Sequence, residues 1–186
     1  MNEFVYVSGR HCLDFAGTIL WRRTLRTELL EKPEDLRHWV DGANLCDEMD
    51  PPSSDSVADA QHLREAIYSA VTASLTGSAH RATQDEVSLL NITARGPLPS
   101  LTLSRERDTT SAGSPDNVLS LLARDTIELI GSAEMTKVKE CSNPDCTRLF
   151  VDLSRGFSRR WCGMAECGNR IKAADYRRRK KLQSID

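Results

Sequence analysis

Aromatic residues are scarce in this 186-residue chain, at 5%, and no apolar run reaches the about 18 residues that a membrane-spanning helix needs. A membrane protein is therefore not expected. Glu3, Arg10, His11 and Asp14 interrupt the stretch where a secretory signal would need an unbroken apolar core, so an exported precursor is not expected either. Catalytic signatures are missing too. The chain has no Gly-rich phosphate loop, no nucleophile elbow and no His-Glu-x-x-His. The four histidines, His11, His38, His62 and His80, are scattered and read as surface or packing residues rather than ligands. An enzyme is thus not expected. Hydrophobic residues at 39% do provide for a core, which excludes wholesale disorder.

What is present is unevenly placed. The net charge of −2 hides an acidic part, residues 1–138, with 13 Lys/Arg against 21 Asp/Glu, and a basic end, residues 139–186, with 12 against 6. Such asymmetry points to an end that binds a polyanion. The six cysteines divide the same way. Cys12 and Cys46 stand alone and read as small buried hydrophobes, whereas Cys141, Cys146, Cys162 and Cys167 fall within 27 consecutive residues. Without an export signal, clustered thiols point to metal rather than to disulfides. The chain divides into an acidic part, 1–136, and a metal module, 137–186, with different jobs.

The acidic part reads as α+β and mainly helical. Residues 4–7 are a strand or an extended lead-in. A helical pattern begins at Leu13 and runs on to Thr24, leaving Arg22 and Arg23 exposed. Lys32-Pro33-Glu34-Asp35 starts a helix that Asp41-Gly42 stops. After a turn-rich connector over 50–56, Val57, Ala60, Leu63, Ile67, Ala70, Val71 and Leu75 keep a 3.6-residue period as far as Gly77. Thr83-Gln84-Asp85-Glu86 is a capping box, opening a helix that ends near Gly96-Pro97. Leu98, Leu101 and Leu103 read as a strand, 104–114 as a loop, and Ser114-Pro115-Asp116 opens a last helix closed by Gly131. Asp14, set in an apolar stretch, is a candidate for a specific role, either ligand contact or a cap or buried salt bridge.

The two C-x4-C loops, Cys141–Cys146 and Cys162–Cys167, are separated by 15 residues. Two short cysteine loops deliver four soft anionic ligands in the tetrahedral arrangement that Zn2+ takes. Four thiolates close the coordination sphere, so one zinc ion is expected in a structural role. A module this small depends on its metal for much of its folding free energy. Between the loops, residues 149–161 read as strand, turn and strand, with Gly156 at the turn. Trp161 reads as core of the module, a zinc-ribbon-like finger. After Cys167 comes a run suited to a helix, with Arg170, Lys172, Arg177, Arg178, Arg179, Lys180 and Lys181 and only a thin apolar stripe. Together with Arg155, Arg159 and Arg160 these residues make DNA the expected partner, through phosphate neutralisation and base-edge contacts. RNA stays open, because Phe157 and Trp161 beside arginines suit base stacking.

Cys141 and Cys146, Arg159-Arg160-Trp161-Cys162, and Cys167-Gly168-Asn169-Arg170 with its basic continuation resemble the CGNR zinc finger. Gly9-Arg10-His11-Cys12-Leu13-Asp14-Phe15-Ala16-Gly17-Thr18 and Leu63-Arg64-Glu65-Ala66-Ile67 are similar to the ABATE domain that precedes this finger. Gly17 departs from the Asn expected there. The resemblance implies a bacterial, stress-induced transcription regulator, cytoplasmic and nucleoid-associated, with the four cysteines as zinc ligands and the finger on DNA. Asn169 and Arg170 follow as the motif's own polar residues. A small-molecule effector and a homodimer are further expectations. The rival reading is a protein–protein adaptor whose basic surface docks an acidic partner, the chain's own N-terminal part included.

Overall fold

A computed structural model of the chain describes residues 4–76, 82–169 and 173. The first element is short. Helix α1, His11–Ala16, is followed not by more helix but by a two-residue antiparallel ladder of β1, Ile19–Leu20, and β2, Thr27–Glu28. The helical reading of 13–24 is therefore corrected. Trp21 and Arg26 take left-handed backbone angles, φ 54° and 45°, which turn the chain back on itself. Arg22 is not exposed either. Its side chain is 6% accessible, donates to Glu65 and to the Ala16 carbonyl, and lies over the Tyr68 ring.

Helix α2, Pro33–Ala43, starts as expected, with Pro33 in its first turn and the Asp35 carboxylate accepting from the Lys32 amide. It runs through Gly42 and stops at Asn44, a left-handed C-cap. Gly42 is needed for another reason: a Cβ there would meet the Tyr6 hydroxyl at 2.4 Å. After β3, Glu48–Met49, the long α3, Ser54–Thr76, begins on reciprocal bonds between Ser53 and Ser56. Helix α4, Gln84–Thr93, carries the Thr83/Glu86 capping box, and α5, Pro115–Gly131, is capped by Ser114. Between them lie β4, Ser100–Leu103, and β5, Thr109–Gly113, a strand where the sequence reads as loop. The sheet order is β3-β5-β4, with β3 parallel and β4 antiparallel to β5.

Helices α1, α2, α3 and α5 bury one apolar cluster around Leu13, Phe15, Trp39, Leu63, Ile67 and Leu122. Arg64 is held inside it at 2% exposure by a two-pronged contact with Glu28, Nη1 to Oε1 at 2.5 Å and Nη2 to Oε2 at 2.6 Å. That pair fastens the β1–β2 ladder to α3. After a 3-10 turn, Ala133–Lys137, strand β6, Val138–Glu140, pairs antiparallel with β7, Leu149–Val151. The strand-turn-strand expected inside the cysteine gap is thus corrected: the partner of β7 precedes Cys141, and residues 158–161 form no strand. Val138, Leu149 and Val151 belong to the same apolar cluster as the helices, so the two parts of the chain share a core.

Candidate metal centre

The β6–β7 ladder fixes the first cysteine loop. The Cys141 amide donates to the Arg148 carbonyl at 3.0 Å, and the Cys146 amide closes a turn onto the Asn143 carbonyl at 2.9 Å. The second loop is one helical turn. The Cys167 and Gly168 amides both donate to the Gly163 carbonyl, and the wide turn Met164–Gly168 follows. The Ser142 amide reaches the Arg160 carbonyl at 2.8 Å and brings the loops together.

The four sulfurs lie within 4.8 Å of one another and all four cysteines are buried. Cys146 and Cys162 Sγ are 3.9 Å apart. Tetrahedral zinc at a Zn–S length of about 2.3 Å requires sulfurs roughly 3.8 Å apart, so the cage fits the ion. Hydrogen-bond donors support it. The Cys162 amide donates to Cys141 Sγ at 3.4 Å, and Asn143 Nδ2 to Cys167 Sγ at 3.4 Å. Without a cation the thiols compete for protons: hydrogen bonds from Cys146, Cys162 and Cys167 push Cys141 down, while those with Cys141, Cys146 and Cys167 push Cys162 up. Only a cation lets all four be thiolates together. The four cysteines are thus positioned to bind one zinc ion, whose coordination sphere four thiolates would fill.

Around the sulfurs, Phe150 is fully buried, and Trp161 packs against the cluster only in part. Trp21 covers it too. The β1–β2 segment of the helical part thus closes one side of the metal module, and Arg23 adds an ion pair to Glu140 at 2.6 Å. Gly17, Ile19, Leu20 and Trp21 face Cys146, Thr147 and Arg148 across a cavity of about 160 Å³. At Gly17 an added Cβ would meet Arg148 Nη1 at 2.7 Å, so here an arginine occupies the space above that residue.

Arg155 and Arg160 are exposed, and the Arg160 guanidinium lies 5.4 Å from the Trp161 ring centre. Arg159 is different, being half-buried and engaged within the chain. Its guanidinium donates to the carbonyls of Val7 at 2.8 Å, Trp161 at 3.0 Å and Cys162, and it stacks on Phe150 at 4.2 Å. Its donors are committed to holding the second cysteine loop to the N-terminal segment. Arg148 Nη1 adds a bond to the Val5 carbonyl at 2.9 Å, and the Val151 amide one to Ser8 at 2.7 Å. On its other side the same segment gives its Val7 and Ser8 amides to Asp14 Oδ1, both at 2.9 Å. Asp14 is therefore a clasp. Burial pushes its carboxyl up, and the Ser8 and Val7 donors and Arg148 oppose that shift. Arg170, Lys172, Arg177, Arg178, Arg179, Lys180 and Lys181 lie outside the described residues.

Asn143, Arg148, Trp21 and Asp152 are site residues that sequence reasoning misses. Of these Asp152, in Asp-x-Ser, and Asn143, in Asn-Pro-Asp, carry a local signal, since each side-chain oxygen can accept from the amide two residues on.

Fold and site define a class: an α-rich domain sharing its core with a structural four-cysteine zinc module. The chain belongs to the ABATE family, whose description is "Putative stress-induced transcription regulator", matched over residues 9–133. Residues 137–180 match the CGNR zinc finger. No curated protein matches the chain. Among the described residues, no helix is long and apolar enough to cross a membrane.

Proposed function

We propose that this zinc-binding regulator acts by binding DNA through its C-terminal module. The observation that carries the reading is a pair of exposed arginines on the metal module, followed in the sequence by a dense basic run. Arg155 and Arg160 are exposed on the module, and the sequence after Cys167 adds Arg170, Lys172 and the run Arg177–Lys181. Phosphates are the natural counterpart of so many cations with so few apolar residues between them in the sequence. Zinc here is architectural: it fixes the two cysteine loops. The acidic helical part carries the regulatory role, and the proposed setting is the bacterial nucleoid.

The test is a titration of the zinc-loaded full chain with mixed-sequence duplex DNA at two salt concentrations, with a chelated control. Affinity falls steeply with salt and is lost on chelation. Arg177→Ala with Arg179→Ala weakens binding and flattens the log–log salt slope by about 0.9 per phosphate contact removed, while the zinc content stays at one per chain. Absence of duplex binding at low salt overturns the reading and leaves an acidic protein as the partner of the basic surface.

A further inference from the structure

We infer that Phe157 is a wedge that stacks on a base of the bound duplex, an inference that rests on the DNA-binding reading and assigns its mode. The turn carrying Phe157 is built around one buried carboxylate. Asp152 is 0% exposed. Its Oδ1 accepts from the Ser154 amide at 2.9 Å and hydroxyl at 2.6 Å, and its Oδ2 from the Arg159 amide at 3.0 Å and Lys139 Nζ at 2.6 Å. The Ser154 hydroxyl in turn accepts from the Ser158 amide at 3.0 Å. The Phe157 amide donates to the Ser154 carbonyl at 3.1 Å, and Lys139 also donates to the Phe157 carbonyl. The backbone on both sides of Phe157 is thus fixed from within.

Against that rigid base, Phe157 is costly twice over. It follows Gly156, φ 80°, and itself takes φ 52°, a left-handed angle that glycine adopts freely and a phenylalanine does not. Phe157 is 55% exposed and belongs to neither apolar cluster, so among the described residues no apolar packing offsets the strain. A strained backbone held by its own hydrogen-bonded turn, carrying an aromatic ring left exposed, is a mark of functional positions. The neighbours give the partner its chemistry: Arg155 and Arg160, both exposed, put cations on either side of the ring in sequence. An apolar ring between phosphate-binding cations is the arrangement by which proteins pry into a base step and stack on what they unstack. Phenylalanine on a fixed turn loses little side-chain entropy in doing so.

The experiment uses the zinc-loaded full chain, its Phe157→Gly and Phe157→Trp variants, and duplexes rich in flexible TA steps that carry 2-aminopurine at those steps. Phe157→Gly removes ring and strain together. It raises the urea midpoint, retains one zinc per chain and the salt slope, binds duplex about tenfold more weakly, and loses the fluorescence rise that unstacking produces. Phe157→Trp restores both affinity and signal. If Phe157→Gly binds as tightly as the parent, or the parent gives no unstacking signal, the wedge is overturned while DNA binding stands. If the salt slope falls along with affinity, the ring merely orients arginines, which also overturns it. A parent that binds no duplex at low salt removes the DNA reading and the wedge with it.

Discussion

Arg159→Ala separates a structural arginine from a nucleic-acid contact, two roles that look alike in a run such as Ser158-Arg159-Arg160-Trp161. The side chain gives three firm bonds, to the Val7, Trp161 and Cys162 carbonyls, and covers the Phe150 ring. A hydrogen bond from a charged donor contributes about 1.5–3 kcal/mol when well buried. Arg159 is half-buried and the vacated carbonyls regain some water, so the bonds together contribute about 3 kcal/mol, with about 0.5–1 kcal/mol more from stacking. A total loss of about 3.5–4 kcal/mol is several hundredfold in the folded-to-unfolded ratio. Urea denaturation of the zinc-loaded chain measures it, with zinc transfer to a chromophoric chelator followed in parallel. Arg159→Ala lowers the midpoint and speeds zinc release. Arg155→Ala and Arg160→Ala, both at exposed positions, stay within about 0.5 kcal/mol of the parent. Arg159→Lys falls between, since an ammonium keeps the charge but not the planar fork. A variant Arg159→Ala as stable as Arg155→Ala, with DNA affinity lost, would refute the assignment.

Two further predictions rest on single contacts. Gly17→Ala costs about 1 kcal/mol net despite its ordinary φ of −76°, because the new Cβ displaces Arg148 from the Val5 carbonyl. Gly131→Ala, with nothing within 4 Å of its added Cβ at the end of α5, gains about 0.5 kcal/mol, and thermal denaturation compares the two. Burial disfavours the Asp152 charge, but Lys139 and Ser154 hold its carboxyl well below the usual range. Its folded pKa lies under the unfolded value of about 3.9, so its contribution is complete above that pH and is lost as pH falls through the folded pKa. The stability gap between parent and Asp152→Asn, measured at each pH, is therefore constant near neutrality and closes in acid; a gap that widens in acid would contradict the contacts drawn here.

The elements that sequence makes legible are those whose signal is local. The α3 stripe from Val57 to Leu75, the Thr83/Glu86 box and the Ser114-Pro115 start all appear at their expected places, because caps and periodicity act within one or two turns. The cysteine cage is legible for the same reason, its two loops being short. The misreadings have nonlocal causes. Leu13, Ala16 and Leu20 mimic a helical stripe, yet the chain turns at Gly17 because Arg22 finds Glu65 and Glu28 finds Arg64, both on α3. Strand β5, Thr-Thr-Ser-Ala-Gly, has no apolar alternation because neither face of its outer half is covered. Strand β7 has an obvious β-prone sequence but takes β6, before Cys141, as partner, and nothing in residues 149–161 reveals that choice. The inward contacts of Arg159 are equally hidden, because charge alone does not say which way a guanidinium turns.

The two matched segments, 9–133 and 137–180, cannot be treated as beads on a string. Val138, Leu149 and Val151 complete the apolar cluster of the helical part, while Trp21 from that part covers the cysteine cluster. Each segment therefore supplies apolar surface that the other needs. Residues 5–8 tighten the joint by giving amides to Asp14 on one side and carbonyls to Arg148, Arg159 and Val151 on the other. Arg159 spans from that segment to the Cys162 carbonyl, which places the metal loop one side chain away from the α1 clasp. Binding free energy at the four thiolates is folding free energy for whatever is ordered along with them. Here that includes the seam with the helical domain. Any event that loosens α1 or the β1–β2 ladder must then weaken zinc retention, and by linkage zinc must stiffen the same surfaces in return.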